Sequence, residues 1–194
     1  MYYMWNFPIT GLVIPPPSEG GGDYIERATG SYEYHEFWRF YQSGQFVHFS
    51  GMLPDWRDQC FARPVIYNNL SADHRVLGIG ETILYFLLVF EFVSRLSMIE
   101  YWDEYTNVIF LFGNLEERTL WVDEINGFLL FGNHSTSKKL SEFKIFDGRK
   151  FSKQELASNS DNFALEAAEE LFKRFNWDPP MTTLRSYLDR YRRG

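Results

Sequence analysis

Apolar and polar positions alternate most sharply between Tyr32 and Met52, where two ring-rich stretches flank Ser43-Gly44. Alternation with period two marks strands, and a Ser-Gly step between two such runs predicts a β-hairpin with a two-residue turn. In that register Gln42 faces Gln45, and Tyr41–Phe46, Phe40–Val47, Arg39–His48 and Trp38–Phe49 are cross-strand pairs. One face then carries Tyr34, Trp38, Phe40, Val47 and Phe49 and reads as core. The other carries Phe37, Arg39, Tyr41, Phe46 and His48, mixing rings with a cation and an imidazole.

Before this hairpin the pattern is irregular. A short strand is expected over 9–14, ended by Pro15-Pro16-Pro17, with Gly20-Gly21-Gly22 as a joint. Residues 1–22 thus read as an arm, and 23–194 as a single domain. A phosphate loop is not expected, because Asp23-Tyr24 follows the glycines where Lys-Ser/Thr would be needed. After a turn-rich stretch (52–75), the run over 76–100 predicts a long central helix lying on the sheet, with charges confined to one stripe. Strands are expected at 107–112 and 118–122, with an ambiguous third stretch at 128–131. A further strand at 142–146 is turned back by Asp147-Gly148 through 149–151. Ser152 and Glu155 have capping-box spacing and open a short helix. Phe163, Ala167, Leu171 and Phe175 share one face of a helix over 161–176, stopped by Asp178-Pro179-Pro180. Thr182 or Thr183 then caps a last helix. This order predicts an α+β fold: a mainly antiparallel sheet, its aromatic hairpin packed against the long helix, with helices at the C-terminus.

Composition sharpens the picture. Of 194 residues, 45% are hydrophobic, enough for a core, and 19% are aromatic, an excess that points to a ring-rich core or contact surface. The net charge of −7 argues against a whole-domain electrostatic grip on nucleic acid. From Leu171 onward, however, Lys173, Arg174, Arg185, Arg190, Arg192 and Arg193 outnumber Asp178 and Asp189. This basic C-terminal helix could touch phosphate or an acidic partner, and its plainer role is to complement helix ends and keep the surface soluble. Cys60 is the sole cysteine, so neither a disulfide framework nor a thiolate site is expected, and a cytoplasmic setting fits. No secretory leader is legible at the start, and the longest apolar run, Ile83 to Phe90, is far short of the ~20 residues of a membrane span.

Candidate chemistry is sparse. His35, His48, His74 and His134 lack metal-ligand spacing, no Gly-x-Ser-x-Gly elbow exists, and no cofactor or metal is expected. Glu142-Phe143-Lys144 on a strand offers a carboxylate for a divalent cation and a lysine to assist water. With Asp123 as second carboxylate it makes a metal-dependent nuclease the alternative reading. Charge alternating along an exposed strand produces the same letters. The best binding candidate is the mixed hairpin face, Phe37, Arg39, Tyr41, Phe46 and His48, which could stack a planar group and neutralise an anion. If that face is instead covered, its rings are core and Arg39 pairs with an acid such as Glu26 or Glu33.

The runs GGGDYIERATGSYEYHEFWRFYQSGQFVHF, LGIGETILYFLLVFEFVSRL and ALEAAEELFKRFNWDPP together resemble the C-terminal region of bacterial ATP-binding proteins. Those proteins carry an AlbA/Schlafen-type domain, assigned to DNA binding, at the N-terminus. The resemblance spans most of 19–190 and rests on word-like runs, not catalytic signatures. It implies a cytosolic bacterial or phage-linked setting such as antiviral defence. It carries over neither ATP nor DNA binding, since no position here matches a nucleotide-binding motif. The function expected is a non-catalytic binding or sensing module that works with an ATPase or nucleic-acid-handling partner. A protein partner is thus expected first, nucleic acid second through the C-terminal helix, and self-association into a homo-oligomer stays open.

Overall fold

A computed structural model describes residues 23–31, 34–51, 75–100, 102–121 and 134–193. The expected arm with its strand at 9–14, the ambiguous stretch at 128–131 and the turn-rich stretch containing Cys60 lie outside them, as does Asp123. The chain divides into two units, Met1–Asp58 and Gln59–Gly194.

In the first unit, β1 (Tyr24–Ser31), β2 (Tyr34–Tyr41) and β3 (Phe46–Ser50) form an antiparallel sheet in that order. The strand β1 was not legible in the chain, because its sequence, YIERATGS, alternates weakly; it is made by pairing with β2 along its whole length. The hairpin is present, but its register is one residue away from the expected one. Phe40 faces Phe46, Arg39 faces Val47, Trp38 faces His48 and Phe37 faces Phe49. The turn explains the slip. Two-residue hairpin turns place a positive φ at their first central residue, which Ser43 resists. Instead, Gly44 alone takes φ +82°. The Tyr41 N–H donates to Gln45 O at 2.8 Å and the Gly44 N–H to Tyr41 O at 2.9 Å, closing a three-residue loop.

The second unit opens with β4 (Val76–Gly78), which pairs in parallel with β7 (Thr119–Trp121), so the long helix starts three residues later than expected. This helix, α1 (Ile79–Ser97), buries Ile79, Ile83, Phe86 and Phe90 along one stripe, and Arg95 is its one exposed residue. The expected 107–112 strand is two pieces, β5 (Tyr105–Asn107) and β6 (Phe110–Gly113). They pair antiparallel with β9 (Lys150–Ser152) and β8 (Glu142–Ile145) respectively. Asp147-Gly148 therefore does not fold β9 back onto β8. Phe146 and Gly148 adopt positive φ, and Arg149 N–H closes onto Phe146 O at 3.0 Å, a local turn between two strands that both pair with the 105–113 segment.

The capping box forms as expected: Ser152 Oγ accepts from the Glu155 N–H at 3.2 Å, and Glu155 Oε2 accepts from the Ser152 N–H at 2.8 Å. The two helices expected beyond it are one, α2 (Lys153–Lys173), bent where Asn159 leaves helical geometry. The last helix, α3 (Met181–Arg193), begins directly after Pro180, so Thr182 and Thr183 lie inside its first turn.

The α+β class stands, with the long helix packed on strands of its own unit. Phe86 meets Phe110 edge-on at 4.7 Å, and Phe90 touches Phe110, Phe146, Phe151 and Phe163. Leu171, Phe172, Leu184 and Leu188 complete a buried core, where each large apolar side chain contributes roughly 1.5–3 kcal/mol.

Candidate functional site

Successive residues of a strand point to opposite faces, so the register decides which candidate residues meet. Phe37, Arg39 and Tyr41 share one face of β2, as expected. Opposite them stand Val47 and Phe49 of β3, with Tyr24 and Glu26 of β1 on the other side. Phe46 and His48 lie on the reverse face, beside Trp38 and Phe40. The five-residue face expected from the chain therefore splits three and two. Phe49, expected in the core, is instead 61% exposed on the arginine face.

Arg39 organises that face. Its Nε donates to Glu26 Oε2 at 2.7 Å, its Nη2 lies 2.5 Å from the same oxygen, and its Nη1 donates to the Tyr41 hydroxyl at 3.2 Å. The guanidinium carbon sits 4.2 Å from the centre of the Tyr24 ring, 5.3 Å from Phe37 and 5.7 Å from Tyr41. The Tyr41 hydrogen bond first, and then Glu26, hold the guanidinium more firmly protonated than usual. Its charge is already answered by Glu26, so an incoming anion would have to displace a carboxylate held in place. What the face offers a partner is ring surface: half-buried Tyr24, Phe37 and Tyr41, with exposed Phe49 packed 6.0 Å from Phe37. Tyr24 carries no signal in the chain because its strand alternates weakly, and the one-residue difference in register moves Phe49 from the expected core face to this one.

The reverse face is a ring stack. Phe46 lies 6.4 Å from Trp38 and 6.4 Å from His48, nearly parallel to both. Trp38 is buried, and among the described residues its Nε1–H has no hydrogen-bond partner.

Of the nuclease candidates, Glu142 and Lys144 both lie exposed on β8, two residues apart and thus on one face. The Lys144 ammonium is 3.6 Å from Asp147. Among the described residues no three His, Cys, Asp or Glu side chains converge as a metal set would.

The basic C-terminal residues are largely engaged within the chain. Arg192 grips Asp161 with two bonds of 2.7 and 2.6 Å and reaches Glu91 at 3.7 Å, joining α3 to α2 and α1. Arg185 donates to Asn162, Lys173 pairs with Glu169, and Arg174 lies over the Phe143 ring at 4.2 Å. Two arginines not singled out from the chain act as struts. Arg118 is fully buried and donates to the Val76 and Asn114 carbonyls. Arg149 lies among Phe146, Phe151 and Phe163 and pairs with Glu166 at 2.7 Å.

Among the described residues, no helix is long and apolar enough to cross a membrane. Comparison with protein-family models, curated proteins and solved structures finds no match for this chain.

Proposed function

We propose that this chain is a non-catalytic binding or sensing module, and that its contact surface is the arginine face of the three-stranded sheet. The observation that carries this reading is the arrangement around Arg39. The guanidinium paired with Glu26 lies against three rings, Tyr24, Phe37 and Tyr41, beside the exposed Phe49, on a surface that is half open. Aromatic side chains fixed in this way bury much area at small entropic cost when a partner docks, which is why they dominate contact hot spots. The partner class is a protein, and the resemblance found in the chain suggests an ATPase or nucleic-acid-handling protein. Acidity overall, and cations already engaged within the chain, weigh against nucleic acid as the direct ligand.

The test is capture of a partner from the native host, followed by binding of the purified pair. Tyr41→Ala and Phe49→Ala should each weaken that binding about tenfold or more while leaving the melting temperature unchanged. Loss of stability in both variants, with affinity per folded molecule retained, would mark the rings as core and refute the reading. So would cleavage of DNA or RNA in Mg²⁺ or Mn²⁺ that Glu142→Ala abolishes.

A further inference from the structure

The segment 105–113 of the second unit alternates between solvent and core. Tyr105, Asn107, Ile109, Leu111 and Gly113 are exposed, while Val108 and Phe110 are buried. On a solvated sheet face the outward positions are ordinarily polar. Here three of five are large and apolar: Tyr105 is 59% exposed, Ile109 51% and Leu111 58%. An apolar stripe of this kind, interrupted only by Asn107, is what a contact surface presents.

The strands beside the stripe carry its charges. Register sets Lys144 opposite Leu111, Glu142 opposite Gly113 and Lys150 opposite Asn107, and all three are exposed. Lys144 already answers Asp147 on its own chain. Glu142 and Lys150 remain, of opposite sign, set by register three positions to either side of Phe110, and because β8 and β9 are joined by 146–149 alone we place both along one edge of the segment. At a rise of at most ~3.4 Å per residue they stand up to about 20 Å apart, to either side of Phe110.

That placement makes the face complementary to itself. A two-fold axis between two such faces, crossing the strand above Phe110, reverses the strand direction and keeps the charged rows on one side. Ile109 then lies over Leu111 of the second copy, and Glu142 over the second copy's Lys150, each contact occurring twice. We infer that this face is a homodimer interface and that its occupant is a second copy of this chain. The apolar stripe supplies the burial, and the Glu142–Lys150 pairs set the antiparallel register. The inference uses none of the residues of the aromatic sheet, so it stands or falls separately from the function proposed above.

Sedimentation equilibrium of the full chain over a wide concentration range tests it. The weight-average mass should climb from 23.0 kDa toward twice that value. Leu111→Glu should weaken self-association about a hundredfold or more by placing a charge in the seam. Glu142→Lys and Lys150→Glu should each weaken it about tenfold, since both create two like-charge contacts. Mixing those two single variants should restore association as a heterodimer, because every contact then regains opposite charges. The charge variants are solvent-exposed and keep the test alive if Leu111→Glu fails to fold. A chain that stays at 23.0 kDa throughout overturns the inference, whatever other protein it binds. Association untouched by Leu111→Glu, or not restored on mixing, does so equally.

Discussion

Glu155 shows what one side chain can do at a helix start. Its carboxylate accepts from the backbone N–H of Ser152 and from the Ser152 hydroxyl at 2.7 Å. The backbone bond first, then the hydroxyl, hold its pKa below the ordinary 4.5. A carboxylate whose folded pKa is depressed adds stability that is complete above its unfolded value and vanishes as pH falls through the folded one. Glu155→Gln keeps an acceptor at that place but does not titrate there. The variant should therefore lose less stability than wild type between about pH 6 and about pH 3 in urea titrations. Equal losses would mean that Glu155 titrates alike in the folded and unfolded chain, so that the cap does not favour its ionised form. Arginines of this chain divide by a similar logic. Arg118, fully buried, holds backbone carbonyls, whereas Arg39 and Arg149 lie among rings beside a carboxylate.

At the scale of the element, the hairpin turn governs which residues can form a site. A three-residue loop with Gly44 at φ +82° and a two-residue Ser43-Gly44 turn differ by one position in β3, and that position exchanges every side chain between faces. No atom lies within 4 Å of where a Gly44 side chain would begin. Gly44→Ala should thus cost about 1 kcal/mol from backbone strain alone, read as a shift in the urea midpoint. Ser43→Gly separates the two turns: it would stabilise a two-residue turn, but in the observed loop it should give no gain. The bend in α2 belongs to the same scale. Ser158, Asn159, Ser160, Asp161 and Asn162 form a polar run inside the helix, and α3 fastens to it through Arg192 and Arg185.

At the scale of the whole molecule, the described core is concentrated in one unit. Every buried apolar side chain among the described residues except Trp38 belongs to Gln59–Gly194. A fragment comprising 59–194 should therefore fold alone and unfold in one cooperative step, followed by circular dichroism on heating. A gradual, non-cooperative melt would show that the first unit is needed to complete the core. The two proposed surfaces lie on different units, one for a foreign partner and one for a second copy. Separate variants can therefore disable either without touching the other.

Local chemistry was legible in the chain wherever neighbours in sequence decide the outcome. The capping box at Ser152, the long apolar helix, the shared face of Phe163, Ala167, Leu171 and Phe175, and the existence of the hairpin all follow from spacing and propensity within a few residues. Pairing between distant segments had no such signal. Only the tertiary structure made a strand of 24–31, joined β4 to β7 in parallel and split 105–113 between two partners, whereas Glu26 against Arg39 is one of the two pairings expected from the chain. The reason is that hydrogen bonding between strands is made by backbone groups common to every residue, so the partner and the register are selected by burial and turn geometry across the fold. The sorting of Phe37, Arg39 and Tyr41 onto one side of β2 needed only alternation, whereas the company they keep there was chosen by the φ angle of Gly44.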